Sequence, residues 1–124
     1  MAAGGGSVNY EEEIVDRFQL SKSFFDKHLL NPYTTVGVFV KGDSMEPKFR
    51  GGDIAIIDTS TQTFDTDGIY AFCYDGHCFI KHLQLVGKSL YAISANSAVY
   101  DKWQIEEHEY FKIIGAVKAA ICRI

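Results

Sequence analysis

Two side chains with the chemistry for acyl transfer stand out. Ser44 sits in Gly42-Asp43-Ser44-Met45-Glu46-Pro47, and Gly51-Gly52-Asp53 follows before an apolar run. Residues 41–53 hold three glycines, two aspartates, a proline and the serine, far more turn-forming residues than a simple connection needs. The second side chain is Lys81, in Phe79-Ile80-Lys81-His82-Leu83, at 81 − 44 = 37 steps from the serine. A lysine shielded from water loses preference for its charged form, and a neutral amine is a general base. A serine beside such a base is a nucleophile, and the turn composition is expected to present the Ser44 hydroxyl outward. The consecutive amides of Ser44 and Met45 are candidate donors to an oxyanion. The pattern also admits a plainer reading, in which Lys81 lies near a sheet edge and reaches outward to water.

The elements that would hold these residues read mainly as strands. Val36, Val38 and Val40 alternate with Gly37, Phe39 and Lys41, and Ile54 to Ile57 is a short apolar strand between Asp53 and Asp58. Further strands are expected at 69–74, 77–83, 90–94 and 110–124. Asp75-Gly76 is a type I′ turn signal and pairs Tyr74 with His77, Cys73 with Cys78, Phe72 with Phe79 and Tyr70 with Lys81. Alternation then puts Lys81 on a face with Tyr70, Phe72, Phe79 and Leu83. In the last strand Phe111, Ile113, Val117 and Ile121 are expected to face the core, with Ala116, Ala120, Cys122 and Ile124 outward. Ser21 is a candidate cap for one short helix, Lys22 to Leu29, whose Phe24, Phe25, His28 and Leu29 share a face, and Asn31-Pro32 ends it. Tyr10 to Asp16 shows no strong period. The fold class is mostly β, twisted antiparallel sheets with one short helix.

The chain has 124 residues, 47% hydrophobic and 23% charged, the composition and size of one soluble domain. A formal charge of −4 offers no basic field for nucleic acid. No apolar run approaches the roughly 20 residues of a membrane span, and the first residues show no signal-peptide pattern. Three cysteines do not form a paired framework, and the Cys-x-x-Cys spacing of a zinc site is missing. Cys73 and Cys78 face each other across the hairpin but are expected to remain reduced, as in a cytoplasmic protein. His77 falls on the opposite face from Cys73, Cys78 and His82, so no metal or other cofactor is expected. Trp103 reads as core, since no basic cluster accompanies it.

The serine motif, Gly52-Asp53 with the strand after it, Lys81 with the His82-Leu83 that follows it, and Ser94-Ala95-Asn96-Ser97-Ala98-Val99-Tyr100 together resemble the LexA-type self-cleaving repressors, phage repressors among them, and UmuD-like proteins. The resemblance covers residues 36–124 and implies a LexA/signal-peptidase-like fold with a Ser44–Lys81 dyad. It further implies an oxyanion hole from the Ser44 and Met45 amides and cleavage of the chain itself at a small-residue bond. Ala3-Gly4, at 44 − 3 = 41 steps before the serine, is the candidate bond. Residues 1–9 then form a flexible linker that includes the cleavage site, and 10–124 form the peptidase-like domain. A plain linker or expression scar is the other reading of the first residues.

The resemblance also implies a homodimer, with the last strand as a dimer element. It implies stimulation by a RecA-type recombinase filament, and contact with operator DNA through a separate amino-terminal helix-turn-helix domain. A UmuD-like polymerase accessory protein and a dimerisation module that does not cleave are the alternatives. Signal peptidases share Ser-Met-x-Pro and a lysine base, but they need a membrane anchor.

Overall fold

The computed structural model describes residues 12–14, 22–27, 30–106 and 110–122. The elements are β1 (Glu12–Ile14), α1 (Lys22–Lys27), β2 (Thr35–Val40), β3 (Ile54–Asp58), β4 (Gly68–Tyr74), β5 (His77–Val86), β6 (Ser89–Ile93), β7 (Trp103–Ile105) and β8 (Phe111–Ile121). The strands form one antiparallel sheet in the order β1-β2-β3-β8-β4-β5-β6-β7. This is the expected mostly-β class with one short helix. Two of the strands, β1 and β7, had no clear signal in the sequence. Ser21, His28 and Leu29 lie outside the described residues, as do Ala3 and Gly4.

The β4–β5 hairpin has the register that Asp75-Gly76 dictates, from Tyr74↔His77 to Gly68↔Leu83. Both turn residues take left-handed backbone angles, φ 51° at Asp75 and 83° at Gly76, as a type I′ turn requires. Both faces of the hairpin are covered. Ala71 and Ile80 join Val38, Val40, Met45, Phe49, Ala55 and Ile57 in one apolar cluster. Tyr70, Phe72, Phe79 and Leu83 join Ala92, Ile105, Ile113 and Ala116 in the other. Trp103 packs on Tyr74 and Phe79 with ring centroids 5.2 and 5.5 Å away, which makes it core as expected. Burying a side chain as fully as Phe72 stabilises the fold by about 1.5–3 kcal/mol.

The cysteine expectation is overturned. Cys73 and Cys78 are joined by a disulfide, and Cys122 is the free cysteine. A two-residue turn makes Tyr74–His77 the hydrogen-bonded pair, so Cys73–Cys78 is the closer, non-hydrogen-bonded pair, with Cα atoms 4.0 Å apart.

Strand β8 also departs from simple alternation. Its residues 111–116 pair with β4 and 116–121 with β3, and each ladder contains an irregularity, at Ala71/Phe72 and at Ile56/Ile57. Each skipped residue swaps the faces beyond it. Ala116 is therefore buried and Ile121 is 40% exposed, the reverse of the expected pattern, whereas Ile113 faces the core. Gly115 of β8 lies tight against the end of β3. A Cβ there would lie 2.4 Å from the Asp58 carbonyl oxygen and 2.6 Å from Ile57 Cγ2.

Candidate active site

The turn-rich run is a closed loop between β2 and β3. Its base is held by Val40 N–H to the Asp53 carbonyl and by Gly52 N–H to the Val40 carbonyl, both 2.8 Å. Gly42 and Gly52, at φ 82° and 94°, supply the left-handed backbone at its two ends. Asp53 is 1% exposed, and its carboxylate accepts the Arg50 N–H at 2.8 Å, which folds the Gly-Gly-Asp corner. Within the loop, Glu46 N–H reaches the Asp43 carbonyl and Phe49 N–H the Met45 carbonyl, so Ser44 opens one compact turn. The Glu46–Pro47 peptide in that turn is cis. Met45 and Phe49 drop into the first apolar cluster and anchor it.

The hairpin delivers Lys81 to this turn. Lys81 Nζ lies 2.8 Å from Ser44 Oγ and 3.0 Å from Ser94 Oγ. Strand β5 is flanked by β4 and β6, so Lys81 is not at a sheet edge, and it is 4% exposed. Loss of water disfavours the ammonium form of a lysine held this way. Ring faces of Phe79 and Tyr100 lie 5.8 and 5.6 Å from Nζ. Ser44 itself is only 2% exposed, whereas a serine presented outward was expected from the turn composition. Its burial follows from the segment after β6, which packs against the turn. Asn96 N–H donates to the Ser44 carbonyl at 2.9 Å, and Asn96 Nδ2 to the Asp43 carbonyl at 3.1 Å. Ala95 N–H meets Met45 Sδ at 3.3 Å, and the Tyr100 hydroxyl donates to the Asp43 carboxylate.

Ser94 and Tyr100 are site residues whose contacts sequence reasoning did not assign. The stretch that contains them was singled out only by resemblance. A cavity of about 290 Å³ is lined by Met45, Ser94 and Ala95 from the two loops and by Ile69, His82 and Ile93, which face the other side of the sheet from Lys81; neither Ser44 nor Lys81 lines it. A larger cavity, about 890 Å³, lies between Phe64, Leu90 and Phe111, away from Ser44 and Lys81. Among the described residues no cluster of three His, Cys, Asp or Glu side chains could hold a metal ion, and no helix is long and apolar enough to cross a membrane.

A nucleophile-type hydroxyl and a desolvated amine within hydrogen-bond reach are the central parts of a serine acyl-transfer site. A 26 kDa repressor protein of Escherichia phage HK022 is 46% identical over 72 residues, which are 58% of this chain and 30% of that protein. The matched stretch thus spans less than a third of that relative. A family model described as Peptidase S24-like matches residues 1–118. With nearly the whole chain matched, the protein belongs to the Peptidase S24-like family.

Proposed function

We propose that this chain is the carboxy-terminal domain of a phage-type transcriptional repressor, which cuts its own chain with a Ser44–Lys81 dyad. The observation that carries the reading is the 2.8 Å approach of Lys81 Nζ to Ser44 Oγ in a buried setting. The neutral amine turns its lone pair to the Ser44 hydroxyl and an N–H to Ser94 Oγ. It takes the hydroxyl proton as Ser44 attacks the carbonyl carbon of the scissile peptide. The Ser44 and Met45 amides hold the oxyanion. The proton then passes to the leaving nitrogen, and water hydrolyses the acyl-serine.

The scissile bond in this reading is Ala3-Gly4, within the linker of residues 1–9, and the catalytic unit is residues 10–124. Strand β1 supports cleavage within one chain. It runs antiparallel to β2 with Glu12 opposite Val40, so the chain upstream of Glu12 leaves β1 at the end where the Ser44 loop begins. Ala3 is 12 − 3 = 9 residues from Glu12, a span of at most about 30 Å, ample to reach Ser44. Dimerisation through the last strand, operator binding by a separate helix-turn-helix domain, stimulation by a RecA-type filament and a cytoplasmic setting complete the proposal. A homodimer matches paired operator half-sites.

The experiment is intact mass over time on the chain with upstream residues restored, beside a Ser44→Ala control. Loss of everything through Ala3, absent from the control, is the expected result. A cut elsewhere would relocate the scissile bond. An unchanged mass with and without a recombinase filament would refute self-cleavage.

A further inference from the structure

Tyr100 touches both halves of the site and has no part in the proton transfer described above. Its hydroxyl donates to the carboxylate of Asp43, the residue immediately before Ser44. Its ring lies 5.6 Å from Lys81 Nζ. The Tyr100 and Val99 amides both donate to the Asn96 carbonyl, at 3.0 and 3.1 Å, so the ring and Asn96 move as one tight turn. The same turn grips Asp43 and Ser44 through Asn96. The contacts to Asp43 and Ser44 join segments more than 50 residues apart in sequence.

We propose that Tyr100 is a positioning residue for the Ser44–Lys81 pair, its hydroxyl fixing the peptide that carries the nucleophile and its ring supporting the ammonium that forms as Lys81 accepts the proton. The inference rests on the dyad reading and deepens it. The two functions separate chemically. Tyr100→Phe keeps the ring face and removes the bond to Asp43. Tyr100→Leu fills similar space and removes both.

The ring's electrostatic contribution is specific to the charged amine, because the negative π face attracts an ammonium more strongly than a neutral amine. Loss of the ring therefore favours the neutral form and moves the pH–rate midpoint toward acid. Several titratable and charged groups stand near the amine among the described residues. Tyr100 and, through it, Asp43 lie on the two loops, Tyr70 stands opposite Lys81 on β4, His82 is its neighbour on β5 with its side chain on the other face, and Lys48 lines the same cavity as His82. None of them is altered in a comparison of the Phe and Leu variants except Tyr100 itself.

The test is the rate at which a fluorophosphonate probe modifies Ser44, read by intact mass from pH 6 to 11, with thermal unfolding of each variant alongside. Tyr100→Phe is expected to slow modification about tenfold at every pH, the weight of one hydrogen bond to a carboxylate, with the midpoint unmoved. Tyr100→Leu is expected to be slower still, with its midpoint roughly half a pH unit more acidic. An Asp43→Ala, Tyr100→Phe double variant should be no slower than the slower single variant, because both remove one bond. Tyr100 variants that react within twofold of the parent overturn the proposal, as do losses that merely track Tm or a midpoint unmoved by Leu. A folded parent that reacts no faster than Lys81→Ala would instead sink the dyad reading, and the role of Tyr100 with it.

Discussion

Gly115→Ala should break the connection between the two halves of the site without touching either one. The added Cβ meets the Asp58 carbonyl oxygen at 2.4 Å and Ile57 Cγ2 at 2.6 Å. The first contact is backbone on β3, whose partner in the ladder is Ala116, so it cannot rotate away as a flexible side chain would. Overpacking of an interior typically destabilises by about 1–3 kcal/mol, and a clash with paired backbone belongs at the upper end. For a chain of this size each kcal/mol lowers Tm by about 3–5 °C, so a fall on the order of 10 °C is expected. Function should fall more than stability. Strand β3 follows the Ser44 loop, β4 pairs with the strand that bears Lys81, and β8 lies between β3 and β4. A wedge at Gly115 moves these apart, and a misplacement of about 1 Å can cost a hundredfold in rate. The assay is thermal unfolding with the Ser44 modification rate measured well below Tm. Gly76→Ala is the control: it meets no atom within 4 Å, and its φ of 83° makes it strained on backbone grounds alone. It should melt a few degrees lower with its rate intact. A Gly115→Ala protein with parental Tm and parental rate would refute the reasoning.

Three other outcomes are expected. Intact mass after alkylation without reductant should show one modified thiol, Cys122, and three after reduction; two or more modified thiols without reductant would deny the Cys73–Cys78 bond. Cys122 should also react sluggishly near neutral pH, since partial desolvation and the neighbouring Asp53 carboxylate push its thiol up. For Asp58, desolvation would raise the carboxyl, but bonds from Ser60 and Thr34 and the Lys118 charge outweigh it and hold it below 3.8. Its stabilising contribution is therefore complete above that value and is lost as pH falls through the lower, folded value. The stability gap between the parent and Asp58→Asn in urea melts should be constant at neutral pH and shrink below about pH 4; a gap that widens in acid would reverse the sign. Ser94→Ala leaves Lys81 with Ser44 as its remaining hydroxyl partner, and self-cleavage should fall about tenfold; an unchanged rate would show that Ser94 does not orient the amine.

Local chemistry made the centre of the fold legible. Asp75-Gly76 specified a turn geometry, the turn specified the register, and the register put Lys81 among Tyr70, Phe79 and Leu83. What depended on tertiary context was not legible. Strand β1 is three residues of mainly acidic sequence held by pairing with β2, and β7 is three residues held by β6. The faces of β8 hinge on two irregularities set by its neighbours on either side. The opposition of Cys73 and Cys78 follows from the turn, but spacing does not decide whether two opposed thiols are joined. The burial of Ser44 and the contacts of Ser94, Asn96 and Tyr100 needed a closed chain, because the loop that supplies them lies about 50 residues downstream. Turn-forming residues around Ser44 pointed to an exposed loop, and they do build one; another loop then covers it.

The decisive experiment is the pH dependence of self-cleavage in the parent, Lys81→Ala and Lys81→Arg, on the chain with its upstream residues restored. If Lys81 is the base, the logarithm of the parent rate rises with unit slope as pH increases and levels off once the amine is neutral. Alanine removes the base, and arginine remains protonated throughout, so both variants should leave the chain whole at every pH while folding normally. Cleavage of the Lys81→Ala chain at the parental rate, with the same rise toward alkaline pH, would contradict a Ser44–Lys81 dyad and assign proton transfer to another group.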